Sequence, residues 1–415
     1  MKRAFLPIVV LIVFLVAGYY VLSIWRGLHL YQSNLSRETL LGAIQLNPSN
    51  PDPFYRLALF YEWDFPNADL EKSLHYLRKA IERNPLKQEY WLTLARVFQG
   101  MGENRASESA LGNAILVFPT GYQGRWTSAN TLIEQGAFET ALPHFTYVLV
   151  NYPEKSSLVY DVLDKVYSDT NFILDRVIPR DPSSINRYIA YLYEIGDEES
   201  VKKARQRKAS YGFKSNREEV LHYIDFLIAH GELSEAFQIW EARLHEEGLS
   251  IPSDGNLVTN GGFEYEKILG SGFDWKIKAV DGAAVSFDQT VAFEGRSSLK
   301  IVFNGKENID FQHVYQFVSL KPDTQYLLTA HMKTKGVTTL SGLKVEVLGI
   351  GPPFQASSEI LTGDNEWREL VIAFRTPARS QGGLIRVRRA KTDKFDRFIS
   401  GLVWIDNVRL MERKP

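Results

Sequence analysis

Pro85, Pro119 and Pro153 stand 34 residues apart twice over, and the same step carries Leu77 to Leu111 to Phe145, Ile81 to Ile115 to Leu149, and Gly102 to Gly136. A period of this length holds two short helices and their turns, and neither helix alone can hide an apolar face. Over this stretch the chain is committed to helical hairpins that stack on their neighbours. In the best unit Tyr90, Trp91, Leu94, Ala95 and Phe98 form the first helix face, Gly102 the turn, and Leu111, Ala114 and Ile115 the second face, before Pro119 stops the helix. The next unit repeats this as Ala129–Leu132, Gly136, Ala141–Phe145–Val148 and Pro153. Upstream, Ala43 to Pro48 keeps the five-residue step of Ala80 to Pro85, so half a unit begins near Ser36; the unit between is 37 residues long, and its excess of three is placed at Trp63–Asp69. Downstream the pattern decays through Ser156–Arg180 and partly returns in Tyr188–Ala204 and Val220–Trp240, with Gly196 and Gly231 at the turns. Five or six hairpins are expected.

The period, the small residues at the helix crossing and the closing proline resemble the tetratricopeptide repeat. The resemblance implies a superhelix whose concave surface binds a protein partner and carries no catalysis. Trp91 is expected in the hairpin core. Arg125 occupies Trp91's place one repeat later, so Gln123 and Arg125 are the expected groove-facing pair.

The amino terminus, MKRAFLPIVVLIVFLVAGYYVLSIWRG, places Lys2 and Arg3 before a run from Ala4 to Trp25 without charge. At about 1.5 Å per residue such a helix spans roughly the 30 Å hydrocarbon core of a bilayer. Pro7 falls in the first turn, and Tyr19, Tyr20 and Trp25 suit the interface. A single membrane anchor through residues 4–25 is expected, with the short basic end cytoplasmic and the bulk extracytoplasmic, periplasmic at an inner membrane. A cleaved signal peptide is the alternative, although the apolar run exceeds the usual length and no A-x-A site follows. Tyr19 stands where a lipoprotein would need cysteine, so lipid attachment is excluded.

Composition removes several function classes. With 48 basic and 49 acidic residues the net charge is -1, so no field draws the chain to nucleic acid. Cysteine is absent, which removes disulfides, thiolate zinc sites and cysteine nucleophiles. His245–Glu246–Glu247 lacks the second histidine of a zinc protease, and there is no GxSxG elbow, P-loop or dinucleotide fingerprint. No enzyme is expected; a glycan hydrolase stays open only because acids are too numerous to exclude a working pair.

After Gly248 the helical text ends, and Pro252, Ser253, Asp254 and Gly255 supply turn residues. The period then changes from near 3.6 to 2 in Ser298–Phe303, Gln325–Thr334, Leu343–Gly349, Trp367–Thr376, Leu384–Ala390 and Leu402–Met411. Eight to ten strands without a helical run predict an antiparallel sandwich or jelly roll. The fold class is therefore multidomain: a transmembrane helix (1–27), an all-α hairpin solenoid (28–250, clearest over 52–153 and degenerate over 154–250) and an all-β jelly-roll sandwich (251–415).

The stretch NLVTNGGFE (Asn256–Glu264), Trp275, Phe293–Ile301, Leu320–Lys333, Trp367–Pro377 and the closing WIDNVRL (Trp404–Leu410) together resemble the calcium-containing carbohydrate-binding modules appended to xylanases and cellulases. The resemblance spans essentially all of 256–413. It implies a structural Ca2+ where first and last strands meet, with Asp406 the first candidate ligand and Glu264 the second; capping of strand-edge amides without metal is the other reading of both. Asn260–Gly261–Gly262 is expected to turn through positive φ, and Trp275, Trp367 and Trp404 to pack rather than bind. Alternation puts Lys344 and Glu346 opposite Leu343, Val345 and Val347, and Arg386 and Arg388 opposite Ile385 and Val387, while Gln312 is grouped with Gln316 and His313 with Tyr315. Arg386, Arg388, Glu346, Lys344, Tyr315 and Gln312 are thus the expected glycan-binding set, since guanidinium and amide groups match hydroxyls or uronate carboxylates and an aromatic ring stacks on a sugar. A solvated outer sheet face is the plain alternative. Function is accordingly read as an anchored scaffold that joins a protein partner to a glycan in assembly or export of a surface polysaccharide, against a purely protein-interaction or structural role in which the sandwich binds no sugar.

Overall fold

The computed structural model describes residues 2–33, 36–64, 66, 68–249 and 255–413. The chain divides into two compact units, Met1–Phe213 and Lys214–Pro415. The expected junction at Pro252–Asp254 lies outside the described residues, as do Phe65 and Asn67 of the expected insertion.

The first unit is helical: α1 (Lys2–Ser33), α2 (Arg37–Leu46), α3 (Asp52–Trp63), α4 (Leu70–Arg83), α5 (Gln88–Gly100), α6 (Asn104–Val117), α7 (Tyr122–Glu134), α8 (Phe138–Asn151), α9 (Ser156–Val166), α10 (Thr170–Arg176), α11 (Pro182–Ile195) and α12 (Glu198–Ser210). Helices α4, α6 and α8 each end two residues before one of the spaced prolines, at Arg83, Val117 and Asn151. The turn glycines Gly102, Gly136 and Gly196 all have φ between 72° and 80°, a left-handed conformation that lets the chain reverse without a Cβ penalty. Ser36, Asp69, Asp169, Asp181 and Asp197 cap helix starts by accepting backbone N–H bonds. Leu77, Ala80, Tyr90, Val97, Ala114, Phe145 and Leu149 are all fully buried, so the residues that carry the period are the ones that pack.

In α1 the segment Val9–Gln32 holds an 18-residue window of mean hydropathy 2.0, none of which is buried. It is long and apolar enough to cross a membrane or to serve as a signal sequence. Its last turns meet α2, where Ser23 Oγ donates to Leu46 O at 2.9 Å.

The second unit opens with one more hairpin, α13 (Arg217–Ala229) and α14 (Leu233–Glu246), and continues as ten strands: β1 (Lys276–Ile277), β2 (Ala283–Asp288), β3 (Ser298–Asn304), β4 (Val314–Val318), β5 (Gln325–Val337), β6 (Lys344–Ile350), β7 (Gln355–Ser357), β8 (Gly363–Arg375), β9 (Gly382–Arg388) and β10 (Ser400–Glu412). They form two antiparallel five-stranded sheets, β1-β4-β9-β6-β7 and β2-β3-β10-β5-β8. The sandwich core gathers the inward side chains of both, among them Leu299, Ile301, Leu328, Val345, Val347, Ile385, Val387, Val403 and Ile405. NLVTNGGFE is not a full strand: the Leu257 N–H donates to Leu410 O at 2.9 Å, and the chain then turns away.

The hairpin packs on the sandwich within this unit. Trp240 is fully buried, with ring centroids 6.1 Å from Phe273, and Asp225 accepts the Gly272 N–H at 3.0 Å and the Ser271 hydroxyl. Arg217 donates to Leu269 O at 3.0 Å.

Candidate functional site

Register places the expected polar residues in rows across the first sheet. Tyr315 pairs with Arg386, Arg386 with Glu346 and Glu346 with Ser357; one row up, Arg388 pairs with Lys344. Since side chains alternate along a strand, Tyr315, Arg386 and Glu346 share the face turned away from the core.

Glu346 is the centre of this lattice. Only 2% exposed, it accepts from Arg386 Nε at 3.0 Å and Nη2 at 2.8 Å, from Lys344 Nζ at 2.7 Å and from Gln355 Nε2 at 3.1 Å. Burial works to raise its pKa, but the Lys344 and Arg386 hydrogen bonds outweigh that and hold the carboxyl below the ordinary glutamate value. It is therefore an anion at neutral pH and a poor general acid. Arg386 extends the lattice by donating from Nη1 to Gln312 Oε1 at 2.5 Å. Arg388 pairs with Asp310 at 2.8 Å, and its Nη1 donates to Phe311 O at 3.2 Å.

Gln312 and Gln316 do not share a side, contrary to the alternation expected for them. Phe311 bridges Arg389 and Tyr315 pairs with Arg386, so four steps on this strand face three on β9. The extra residue is a bulge, which shifts the facing of what precedes it. Gln312 therefore joins Arg386 on the outer face, while Gln316 is fully buried and binds the Thr259 backbone, accepting its N–H at 2.9 Å and donating to its carbonyl at 2.7 Å.

Beside the lattice, the expected ring of Tyr315 is continued by an apolar strip of Phe317, Leu384 and Leu348 that was not expected. Tyr315 and Phe317 lie edge to face at 5.7 Å, and Lys278 Nζ stands 5.4 Å from the Tyr315 ring. Leu384 and Leu348 continue the Phe317 row by register, and both are part-exposed. Strict alternation from Tyr315 to Phe317 was the signal that could have found it.

Arg389, the next inward residue after Val387, is fully buried and has no carboxylate ion pair among the described residues. It donates to Ser341 O at 3.2 Å, Asn308 Oδ1 at 3.0 Å, Ile309 O at 2.5 Å and Arg397 O at 2.7 Å, tying three loops together at the lattice end of the sheet.

The two expected metal ligands lie on the other sheet's side. Asp406, fully buried, accepts the Phe293, Glu294 and Asn407 N–H groups at 2.7, 3.1 and 2.7 Å. Glu264 is exposed and accepts those of Arg296 and Ser297 at 2.8 and 3.3 Å. Burial is the main cause raising the Asp406 pKa; the amide bonds oppose it and the Glu264 charge adds to it. Calcium takes six to eight oxygens. Two carboxylates beside one loop supply part of such a shell, and among the described residues no group of three or more histidine, aspartate or glutamate side chains converges. Carboxylate oxygens are the donor type a hard cation takes, and carbonyls and water would have to supply the rest of the shell. Positive φ in this motif falls on Asn260 and Phe263, both at 52°, rather than on Gly261 and Gly262. Gly261 is there for closeness: a Cβ would stand 2.0 Å from Val408 O. Trp404 is buried and donates to Asp288 at 2.9 Å, and Trp275 packs on Phe263 at 5.0 Å.

In the first unit, Gln123 lines a cleft of about 840 Å³ with Gln88, Thr93 and Arg96. Arg125 does not join it. Two positions along a helix point to nearly opposite sides, and Arg125 packs over the Tyr147 ring at 4.5 Å, with His144 Nδ1 at 3.5 Å. The expected pair is thus separated: Gln123 lines this cleft and Arg125 does not.

No known protein family and no curated protein matches this chain. Among solved structures it is similar to one described as "Family 16 Carbohydrate Binding Module-2", at 22% identity and TM-score 0.28 over 38% of this chain and 100% of that one. A second, "CBM4 structure and function", has 15% identity and TM-score 0.29 over 38% and 99%. A third, "Crystal structure of MamA protein", has 19% identity and TM-score 0.26 over 29% and 63%.

Proposed function

We propose that this chain is a binding protein that holds a glycan on the β1-β4-β9-β6-β7 face and a protein partner in the groove of its helical, tetratricopeptide-like hairpins, and that it works at a membrane surface in assembly or export of a polysaccharide. The observation that carries the glycan reading is the row Tyr315–Arg386–Glu346 with Gln312 and Gln355: planar guanidinium and amide groups, fixed by each other, beside an aromatic strip on one outer sheet face. Groups already locked in place lose little freedom on binding, and a fixed array of planar donors and acceptors next to a ring is what sugar recognition needs. Arg386, Arg388, Lys344 and Lys278 outnumber Glu346 and Asp310 here, which favours an acidic, uronate-bearing chain.

The reading gives the chain no catalytic role. The carboxylate at the centre of the lattice, Glu346, is held ionised by two cations, which suits structure rather than proton transfer. Calcium held by Asp406 and Glu264 would fix the Phe293–Ser297 loop, and the buried, cation-free Asp406 carboxylate supports that assignment. Residues 4–25 would anchor the chain in an inner membrane with Lys2 and Arg3 cytoplasmic, following the bias of basic residues toward that side.

A second reading has its own support: the lattice groups satisfy one another, so the face can be a solvated ion-pair network with no ligand. A glycan array probed with the detergent-solubilised full chain, with and without calcium, separates the two. Binding that is lost in Arg386→Ala supports the glycan reading; a blank array sinks it. Release of reducing ends from any bound polymer would overturn the non-catalytic assignment, and complete release from membranes by carbonate would overturn the anchor.

A further inference from the structure

The outer face of the first sheet does not end at its polar lattice. Moving along β6 from Lys344 and Glu346, the same face presents Leu348 and then Ile350; β9 runs alongside from Arg386 through Leu384 to Gly382. Six steps of strand, from Arg388 to Gly382, cover roughly 20 Å. At the far end stands the turn of the last helical hairpin. The chain approaches closely there: a Cβ on Gly382 would lie 2.6 Å from Leu233, and one on Gly231 would lie 3.2 Å from Gln381 Oε1. Between α13 and the sheet is a cleft of about 590 Å³ whose floor is Phe317 and Ile350 and whose wall is Ala229, His230 and Asp225, with Gln381 at the rim.

We propose that the glycan track is composite, with α13 supplying the wall of a second subsite in which Gln381 and His230 bind sugar hydroxyls while Phe317 and Ile350 meet the ring's C–H face. This rests on the glycan reading of the Arg386 lattice. Three observations carry it. The cleft is continuous with that lattice on one face, since Phe317 neighbours Tyr315 at 5.7 Å. Its lining has the mixture a sugar requires, an apolar floor with an amide and an imidazole at the edge. Its wall is held in place, because Asp225 accepts the Gly272 N–H and the Ser271 hydroxyl and lies 3.6 Å from Lys276 Nζ. A polymer that fills both subsites must be long, so the hairpin would act as a selector for chain length.

The test uses the detergent-solubilised full chain and two size series, oligogalacturonides and xylo-oligosaccharides of two to eight residues, with affinity measured by calorimetry. Affinity is expected to rise with length in the wild type, and the gain for the longest oligomers to fall about tenfold in the Gln381→Ala, His230→Ala double variant. Ala229→Trp, at an exposed wall position, is expected to abolish the gain while leaving the shortest binding oligomer unaffected. Arg386→Ala is expected to weaken every length. If the wild type gains with length and Arg386→Ala fails, yet neither cleft variant alters the length dependence, the composite track is wrong and the lattice reading stands. If the wild type binds neither series, both are wrong. Far-ultraviolet circular dichroism and the unfolding midpoint check that the variants are folded; Gln381 and His230 are exposed, so that pair remains informative should Ala229→Trp unfold.

Discussion

Asp406 and Glu264 grip opposite halves of one loop: Asp406 accepts the N–H groups of Phe293 and Glu294, and Glu264 those of Arg296 and Ser297. Neither carboxylate forms an ion pair among the described residues. If calcium completes this clasp, millimolar Ca2+ raises the unfolding midpoint by several degrees, EDTA reverses the rise, and Glu264→Gln loses most of it. A midpoint indifferent to Ca2+ would mean that the amide bonds are the whole function of the pair.

The same clasp has a pH signature opposite in sign to that of the lattice. Asp406 has a folded pKa above its ordinary 3.8, so its contribution to stability is fully present below that value and is lost as pH rises through the raised folded value. Glu346 lies below its ordinary 4.5; its contribution is present above 4.5 and is lost as pH falls through the folded value. Glu346→Gln should therefore flatten the acid limb of a stability profile, and Asp406→Asn should flatten the loss on the alkaline side of 3.8. Urea titrations at half-unit steps measure both, and an acid limb unchanged by Glu346→Gln would show that Glu346 is not held ionised by its partners.

Truncating the lattice centre is costly because it strands its cations. Glu346→Ala leaves Lys344 and Arg386, with side chains only 21% and 17% exposed, facing an empty site, and is expected to destabilise the chain by about 3–5 kcal/mol. Lys321→Ala, which breaks an exposed pair with Glu412, should cost less than about 1 kcal/mol. Denaturant midpoints compare the two directly. Equal costs would show that the lattice is as solvated as any surface pair.

The larger architecture was legible because it is written in periods. The 34-residue step fixed where helices end and where glycines turn, and the change to period 2 marked the strands. Details that depend on one residue more or less were not legible. A single bulge beside Phe311 separates Gln312 from Gln316, and a two-position step on α7 separates Gln123 from Arg125. Asp406 and Glu264 could be named from the resemblance their motifs carry, but their amide partners lie across the fold in the Phe293–Ser297 loop, which no local pattern pairs with them. The continuation of the Tyr315 strip through Phe317 was hidden for a different reason: a part-exposed aromatic on a short strand reads like core until its register is known.

Gly272 tests whether the last hairpin is structurally part of the sandwich unit. Its φ is +62°, its N–H is held by Asp225, and a Cβ there would stand 2.7 Å from Trp240 Cε3 and 3.0 Å from Ile224 Cγ2. Gly272→Ala therefore combines backbone strain with overpacking against a fully buried indole and is expected to cost about 1–3 kcal/mol. Asp225→Ala removes the acceptor for the Ser271 hydroxyl and the Gly272 N–H without adding bulk, so it should loosen the same contact more gently. Hydrogen exchange distinguishes a docked hairpin from a merely adjacent one. If docking protects it, amides of Arg217–Ala229 and Leu233–Glu246 exchange faster in both variants while the β3, β5 and β10 amides keep their protection. If the two helices fold independently of the sandwich, their exchange stays unchanged in both variants.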